Sequence, residues 1–231
     1  MGRFTQAGAK GSIAAFSDHF RYKVLSDGPG WWFDTDVLCL ADASRYEELE
    51  QSVDGAIVGR EDALRINGAV FGCTNPRIAK DLLQQAEAVG TEFEWGAIGP
   101  HLITSMVAAR PSQFKVMDAT VFYPVHYFHA DWPLLPEYRE QCVNAVSGSL
   151  SLHLWNEYYR RWRIPKELGP CAGSFLDDFL ATEPASCPRI SVDTCRALRD
   201  FGSMRAASKC VASLESKLVS LRRGARRWYR G

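Results

Sequence analysis

Apolar and polar positions over residues 14–25 recur at helical spacing, and Asp27-Gly28-Pro29-Gly30 then forces a turn into an aromatic-rich strand. Short apolar runs at Gly55–Val58 and Ala69–Gly72 predict two more strands. Thr74-Asn75-Pro76 opens a helix with Ile78, Leu82 and Ala86 on one face, and Gly90 closes it. A further helix follows Gly99-Pro100, carrying Leu102, Ile103, Met106 and Val107 until Arg110-Pro111 breaks it. Val116–Tyr123 is a candidate strand. Leu150 to Trp155 alternates strictly, which predicts a strand with a dry leucine face and a working face of Ser151, His153 and Trp155.

After Pro165 the pattern changes. Ser174–Leu180 predicts one short helix, and from Val192 onward the chain is rich in Ala, Arg, Ser and Leu and reads as helical. These shifts divide the chain into a core, 1–165, and a helical, basic C-terminal extension, 166–231. Val211, Leu214, Leu218 and Leu221 fall at heptad spacing, but two heptads do not make a coiled coil.

Composition narrows the class. With 231 residues, 46% hydrophobic and 12% aromatic, the chain can bury a full core. Its 27 basic and 27 acidic residues balance, so the overall charge favours neither nucleic acid nor membrane as a partner. The basic residues are concentrated late: 191–231 holds ten Lys or Arg against three Asp or Glu. Within it, Arg222 to Arg230 has the arginines and aromatics of a weak peripheral membrane contact, or simply of a helix end whose charges complement its dipole. The seven cysteines are odd in number and lack CxxC spacing, which suggests free thiols in a reducing cytoplasm. No apolar run has the length of a membrane span, and the N-terminus lacks the pattern of a signal peptide.

The candidate chemistry sits at the end of the aromatic strand. Asp34 and Asp36 lie two apart, so an extended backbone sends both carboxylates from one face and Thr35 from the other. Two hard oxygen donors on one face suit Mg²⁺ or Mn²⁺. The triplet alone fits an acidic turn equally well. Upstream, Asp18 and Arg21 stand three apart on one helical face, where an ordinary intrahelical ion pair is the plain alternative.

The flanking residues add a resemblance. Ser17-Asp18-His19-Phe20-Arg21-Tyr22-Lys23-Val24-Leu25, followed by Gly30-Trp31-Trp32-Phe33-Asp34-Thr35-Asp36-Val37, resembles the DXD sugar-binding region of family 32 glycosyltransferases. Capsular-polysaccharide and toxin-type retaining glycosyltransferases share the pattern. Looser similarity continues through Asn67-Gly68-Ala69, Trp95 to Pro100, Phe122-Tyr123-Pro124 and His153-Leu154-Trp155-Asn156, covering about residues 13–160.

The resemblance implies an α/β, GT-A-like mixed-sheet core and a retaining, metal-dependent hexosyltransferase, with a role in surface polysaccharide synthesis. Its partners are a nucleotide-diphosphate sugar and a saccharide or other hydroxyl acceptor. It assigns Asp34 and Asp36 to Mn²⁺ or Mg²⁺, with His153 either completing the metal shell or standing as a half-buried, hydrogen-bonded histidine. Asp18 goes to the sugar hydroxyls and Arg21 to the diphosphate, while Asn67, Gly99, Pro100 and Trp155 line the donor-sugar cleft. Against the family, the chain begins almost at the Ser-Asp-x-x-Arg helix, without the usual nucleotide-binding segment, and has Pro29-Gly30 where paired glycines are usual. Two other functions fit parts of the pattern. One is a haloacid-dehalogenase-like phosphatase with Asp34 as nucleophile and Asp177-Asp178 as a later metal pair. The other is a truncated, non-catalytic relative that binds saccharide or a partner.

Overall fold

The computed structural model describes residues 13–90, 93–165, 167–181 and 188–209. The heptad leucines and the arginine-rich terminus lie outside the described residues. By internal contacts the chain divides into one unit of Met1–Phe128 with Val143–Leu154, and a second of His129–Cys142 with Trp155–Gly231. Residues 155–165, on the N-terminal side of the boundary expected near 165, thus fall in the second unit.

The first unit is built on a four-stranded mixed sheet. Helix α1 (Ile13–Asp27) leads into strand β1 (Gly30–Phe33), and β2 (Val37–Cys39) follows after a short turn. Helix α2 (Ala43–Glu50) connects to β3 (Ala56–Arg60) and β4 (Ile66–Cys73), which are succeeded by helices α3 (Pro76–Ala88) and α4 (Pro100–Ala109) and strand β5 (Phe114–Met117). Sheet order is β1-β4-β3-β5; β4 runs antiparallel to both neighbours, and β3 pairs with β5 in parallel. Strand β2 leaves this sheet and pairs antiparallel with β6 (Ser151–His153).

The core lies between this sheet and α1, α3 and α4. Tyr22, Phe71, Leu82, Ala86 and Ile103 are fully buried there, and Ile78 nearly so. Helix α3 shows why the sequence was legible here. Its three predicted core residues repeat every four positions, the Asn75 side chain accepts a hydrogen bond from the Arg77 N–H at the first turn, and Gly90 follows the last turn at φ +85°.

Two expectations are corrected. Val116–Tyr123 is not one strand: β5 ends at Met117, and Ala119–Phe122 forms the short helix α5. Strand-favouring side chains are overridden by tertiary contacts, with Phe122 and Tyr123 buried and the Ser149 and Ser151 hydroxyls donating to the carbonyls of Thr120 and Phe122. The alternating strand is also shorter than expected. It stops at His153, and Ser151, Leu152 and His153 are all buried, so neither face is open.

The second unit holds helices α7 (Asn156–Trp162) and α8 (Phe175–Leu180) and a helix over 192–209, and arginine–carboxylate pairs tie the last two to the 131–139 segment. Arg199 bonds Asp131, Arg196 bonds Glu137, and Arg139 bonds Asp178. Helix α6 (Arg139–Val146) precedes the turn into β6. Among the described residues no helix is long and apolar enough to cross a membrane.

Candidate metal and sugar site

The acidic pair converges by a different route from the one strand alternation suggests. Asp34 and Asp36 sit in the turn between β1 and β2, closed by the Val37 N–H on the Asp34 carbonyl at 3.0 Å. Thr35 is exposed at the tip. The Asp34 N–H donates to the Ala69 carbonyl of β4 at 2.8 Å, and the Leu154 N–H to the Asp36 carbonyl at 2.9 Å. One aspartate is therefore fixed to the main sheet and the other to the β2–β6 ribbon.

Pairing of β2 with β6 sets Val37 opposite His153 and so carries the imidazole to the turn. His153 Nε2 lies 3.3 Å from Asp36 Oδ1. One ligand atom each from Asp34, Asp36 and His153 fall within 4.8 Å of one another. Two carboxylates and an imidazole, the last buried and the first two half-buried, form a donor set suited to Mn²⁺ or Mg²⁺.

Behind the turn, Arg21 is 3% exposed, and its two terminal nitrogens donate to Asp18 Oδ1 and Asp34 Oδ1, each at 2.9 Å. The guanidinium is thus a spoke that sets Asp18 and Asp34 side by side, and the simple intrahelical pair is only half of what it does. Its Nε is buried without a hydrogen-bond partner among the described residues. Burial pushes the Asp18 carboxyl up to about 6, against the lowering effect of Arg21, and the nearby Asp34 charge pushes the same way as burial. Arg21 is held more firmly protonated than usual: burial opposes its charge, but Asp34 and Asp18 together outweigh that.

Two glycines make room for this cluster. A Cβ on Gly68 would fall 2.2 Å from Arg21 Nη1, and one on Gly99 would fall 2.2 Å from Asp18 Oδ2. A side chain at either position would force the guanidinium or the carboxylate out of place. Gly99 therefore borders the Asp18 carboxylate, and Pro100 opens α4 immediately after it. Asn67 is occupied internally, its amide N–H₂ donating to Glu61 Oε2 at 2.8 Å and its carbonyl accepting from the Ala69 N–H at 2.7 Å. Trp155 belongs to the second unit, 9% exposed, with a left-handed backbone at φ 55° before α7.

Three residues take roles at the site that local pattern did not assign, although Trp32 and Tyr123 stand in the segments that carry the resemblance. Trp32 donates its indole N–H to Asp34 Oδ1 at 2.6 Å and lies under the Arg21 guanidinium at 5.6 Å. Its position two before Asp34 on a strand was the available signal. Tyr123 buttresses β4, with its hydroxyl accepting from the Val70 N–H at 2.9 Å and its ring 5.9 Å from His153. Glu61 is a buried carboxylate that holds Asn67 and Arg65.

The phosphatase pair finds other employment. Asp177 takes Arg189 and the Gly173 N–H, and Asp178 takes Arg139. Each aspartate thus has a cation of its own unit as partner.

Residues 74–179 match the model of a family described as the alpha 1,4-glycosyltransferase conserved region. That segment of the chain is thus similar to a glycosyltransferase region. The glycosyltransferase match takes in α3, α4, β5, β6, His153 and Trp155, and its mixed helix-and-strand architecture is consistent with an α/β, GT-A-like core. Asp18, Arg21, Asp34 and Asp36 precede the matched segment, which meets them through His153 and Gly99. No curated protein and no solved structure matches the chain.

Proposed function

We propose that the chain is a metal-dependent retaining glycosyltransferase that moves a sugar from a nucleotide-diphosphate donor to a saccharide or other hydroxyl acceptor, with surface polysaccharide as the setting. The observation that carries this is the convergence of Asp34, Asp36 and His153 within 4.8 Å, beside the buried Asp18–Arg21–Asp34 pairing, in a chain with a segment similar to a glycosyltransferase region.

Asp34, Asp36 and His153 would hold Mn²⁺ or Mg²⁺, which when bound supplies the positive charge that meets a diphosphate leaving group. The chain's own residues do the rest. Asp18, held by Arg21 and walled by Gly99, presents a carboxylate for sugar hydroxyls. Arg21 orients Asp18 and Asp34, and its buried positive charge sits beside the acidic turn where a diphosphate would lie. Gly68 and Gly99 let the backbone come close to that cluster. Asn67 acts through the β3–β4 end that it fastens rather than by reaching a sugar itself.

The test is calorimetric titration of a nucleotide-diphosphate sugar in the presence of Mn²⁺. Asp36→Ala should abolish the Mn²⁺-dependent part of the binding. Unchanged binding in that variant would count decisively against the proposal.

A further inference from the structure

Resting on the metal centre proposed above, a further role falls to a residue that is not a ligand. Asp34 Oδ1 accepts two hydrogen bonds, from Trp32 Nε1 at 2.6 Å and from an Arg21 terminal nitrogen at 2.9 Å. A carboxylate oxygen has two in-plane lone pairs, so these donors together occupy that oxygen. Oδ2 is what remains for a cation. The indole is itself fixed, with its ring beneath the Arg21 guanidinium at 5.6 Å and the Phe20 ring set edgewise to it at 5.8 Å. Strand β1 adds a backbone constraint, because Trp32 pairs with Phe71 of β4.

We propose that Trp32 is a positioning residue that, with Arg21, engages one oxygen of Asp34 so that this carboxylate meets a cation through its other oxygen alone, biasing the centre toward small octahedral cations over Ca²⁺. The reason is coordination chemistry. Mg²⁺ and Mn²⁺ are satisfied by single oxygens in an octahedron, whereas Ca²⁺ takes more oxygens and readily uses both of one carboxylate. An Asp34 freed from the indole can turn and offer both.

The experiment measures dissociation constants for Mn²⁺ and for Ca²⁺ by calorimetry on the full chain, without substrate, and records the melting temperature of each variant. Trp32→Phe removes the N–H and keeps a ring beneath Arg21. A chain with 3-benzothienylalanine at position 32 replaces the N–H by sulfur with nearly the same shape, and it decides the matter alone if Trp32→Phe does not fold. Both variants should bind Mn²⁺ about tenfold or more weakly, as loss of a partner to a metal ligand typically does. Ca²⁺ binding should fall less, so the Mn²⁺-to-Ca²⁺ preference narrows while the sulfur variant keeps its melting temperature. A merely structural role for Trp32 would move the melting temperature and leave that preference intact. A sulfur variant with wild-type Mn²⁺ affinity and preference overturns the inference and leaves the metal centre standing. A wild-type chain that takes up no Mn²⁺ overturns both.

Discussion

At the residue scale, Asp18 is the group whose surroundings have the clearest measurable consequence. Burial lifts its carboxyl from 3.8 to about 6, so the folded chain holds this proton more tightly than the unfolded chain does. The sign follows: the stabilisation is fully present below the ordinary value and is lost as pH rises through about 6. A shift of this size corresponds to about 3 kcal/mol. Replacing Asp18 by Asn removes the titration, so stability relative to wild type should move in favour of the variant between pH 4 and pH 7. Urea unfolding of both chains across that range measures it, and a difference that does not change with pH would show that Asp18 titrates normally. The sequence placed Asp18 and Arg21 on one helical face. It could not show that Arg21 also reaches Asp34, because that contact depends on how α1 lies against the end of β1.

Helix α3 tests how much of the fold is local. Asn75 caps it, Pro76 begins it, and its buried face of Ile78, Leu82 and Ala86 joins the core that also takes Tyr22 and Leu25 of α1. Asn75 also bonds Asp54. Asn75→Ala should cost about 1 kcal/mol, the usual effect of losing a side-chain cap, seen as a lower denaturation midpoint with an unchanged slope. Elements of this kind were legible because cap, period and stop signal agree. Strand β5 and helix α5 were not: Val121, Phe122 and Tyr123 favour a strand locally, and contacts from Ser149 and Ser151, nearly thirty residues away, decide otherwise. The ribbon β2–β6 is the same lesson in reverse. Alternation at 150–155 announced a strand, but its partner, register and burial on both faces are long-range facts.

For the molecule as a whole, a metal held by residues from two separate sheets ought to act as a staple. Asp34 follows β1, Asp36 precedes β2, and His153 ends β6. Any ligand that binds only the folded chain stabilises it by mass action, about 2.7 kcal/mol at roughly a hundred times its dissociation constant. Added Mn²⁺ should therefore raise the melting temperature of the wild-type chain, and a chelator should reverse the gain. Asp36→Ala should melt at one temperature in both conditions. An equal rise in the variant would place the stabilising cation elsewhere. The glycosyltransferase match stops short of the acidic turn, so this measurement probes the part of the site that the family comparison leaves open.

Local pattern along the chain was enough to name the carriers of the chemistry. A helix with Asp18 and Arg21, an aromatic strand leading into Asp34, and a late strand bearing His153 all follow from local pattern and from motif, which depend on near neighbours in the chain. How these carriers meet is a matter of the folded chain. The acidic pair converges through a turn between two sheets, Arg21 is shared between two aspartates, glycines 68 and 99 yield space to that cluster, and the Trp32 indole occupies one oxygen of Asp34. The physical reason is common to all four. Each is a contact between segments brought together by packing and strand register, and none is encoded in the period of any one segment.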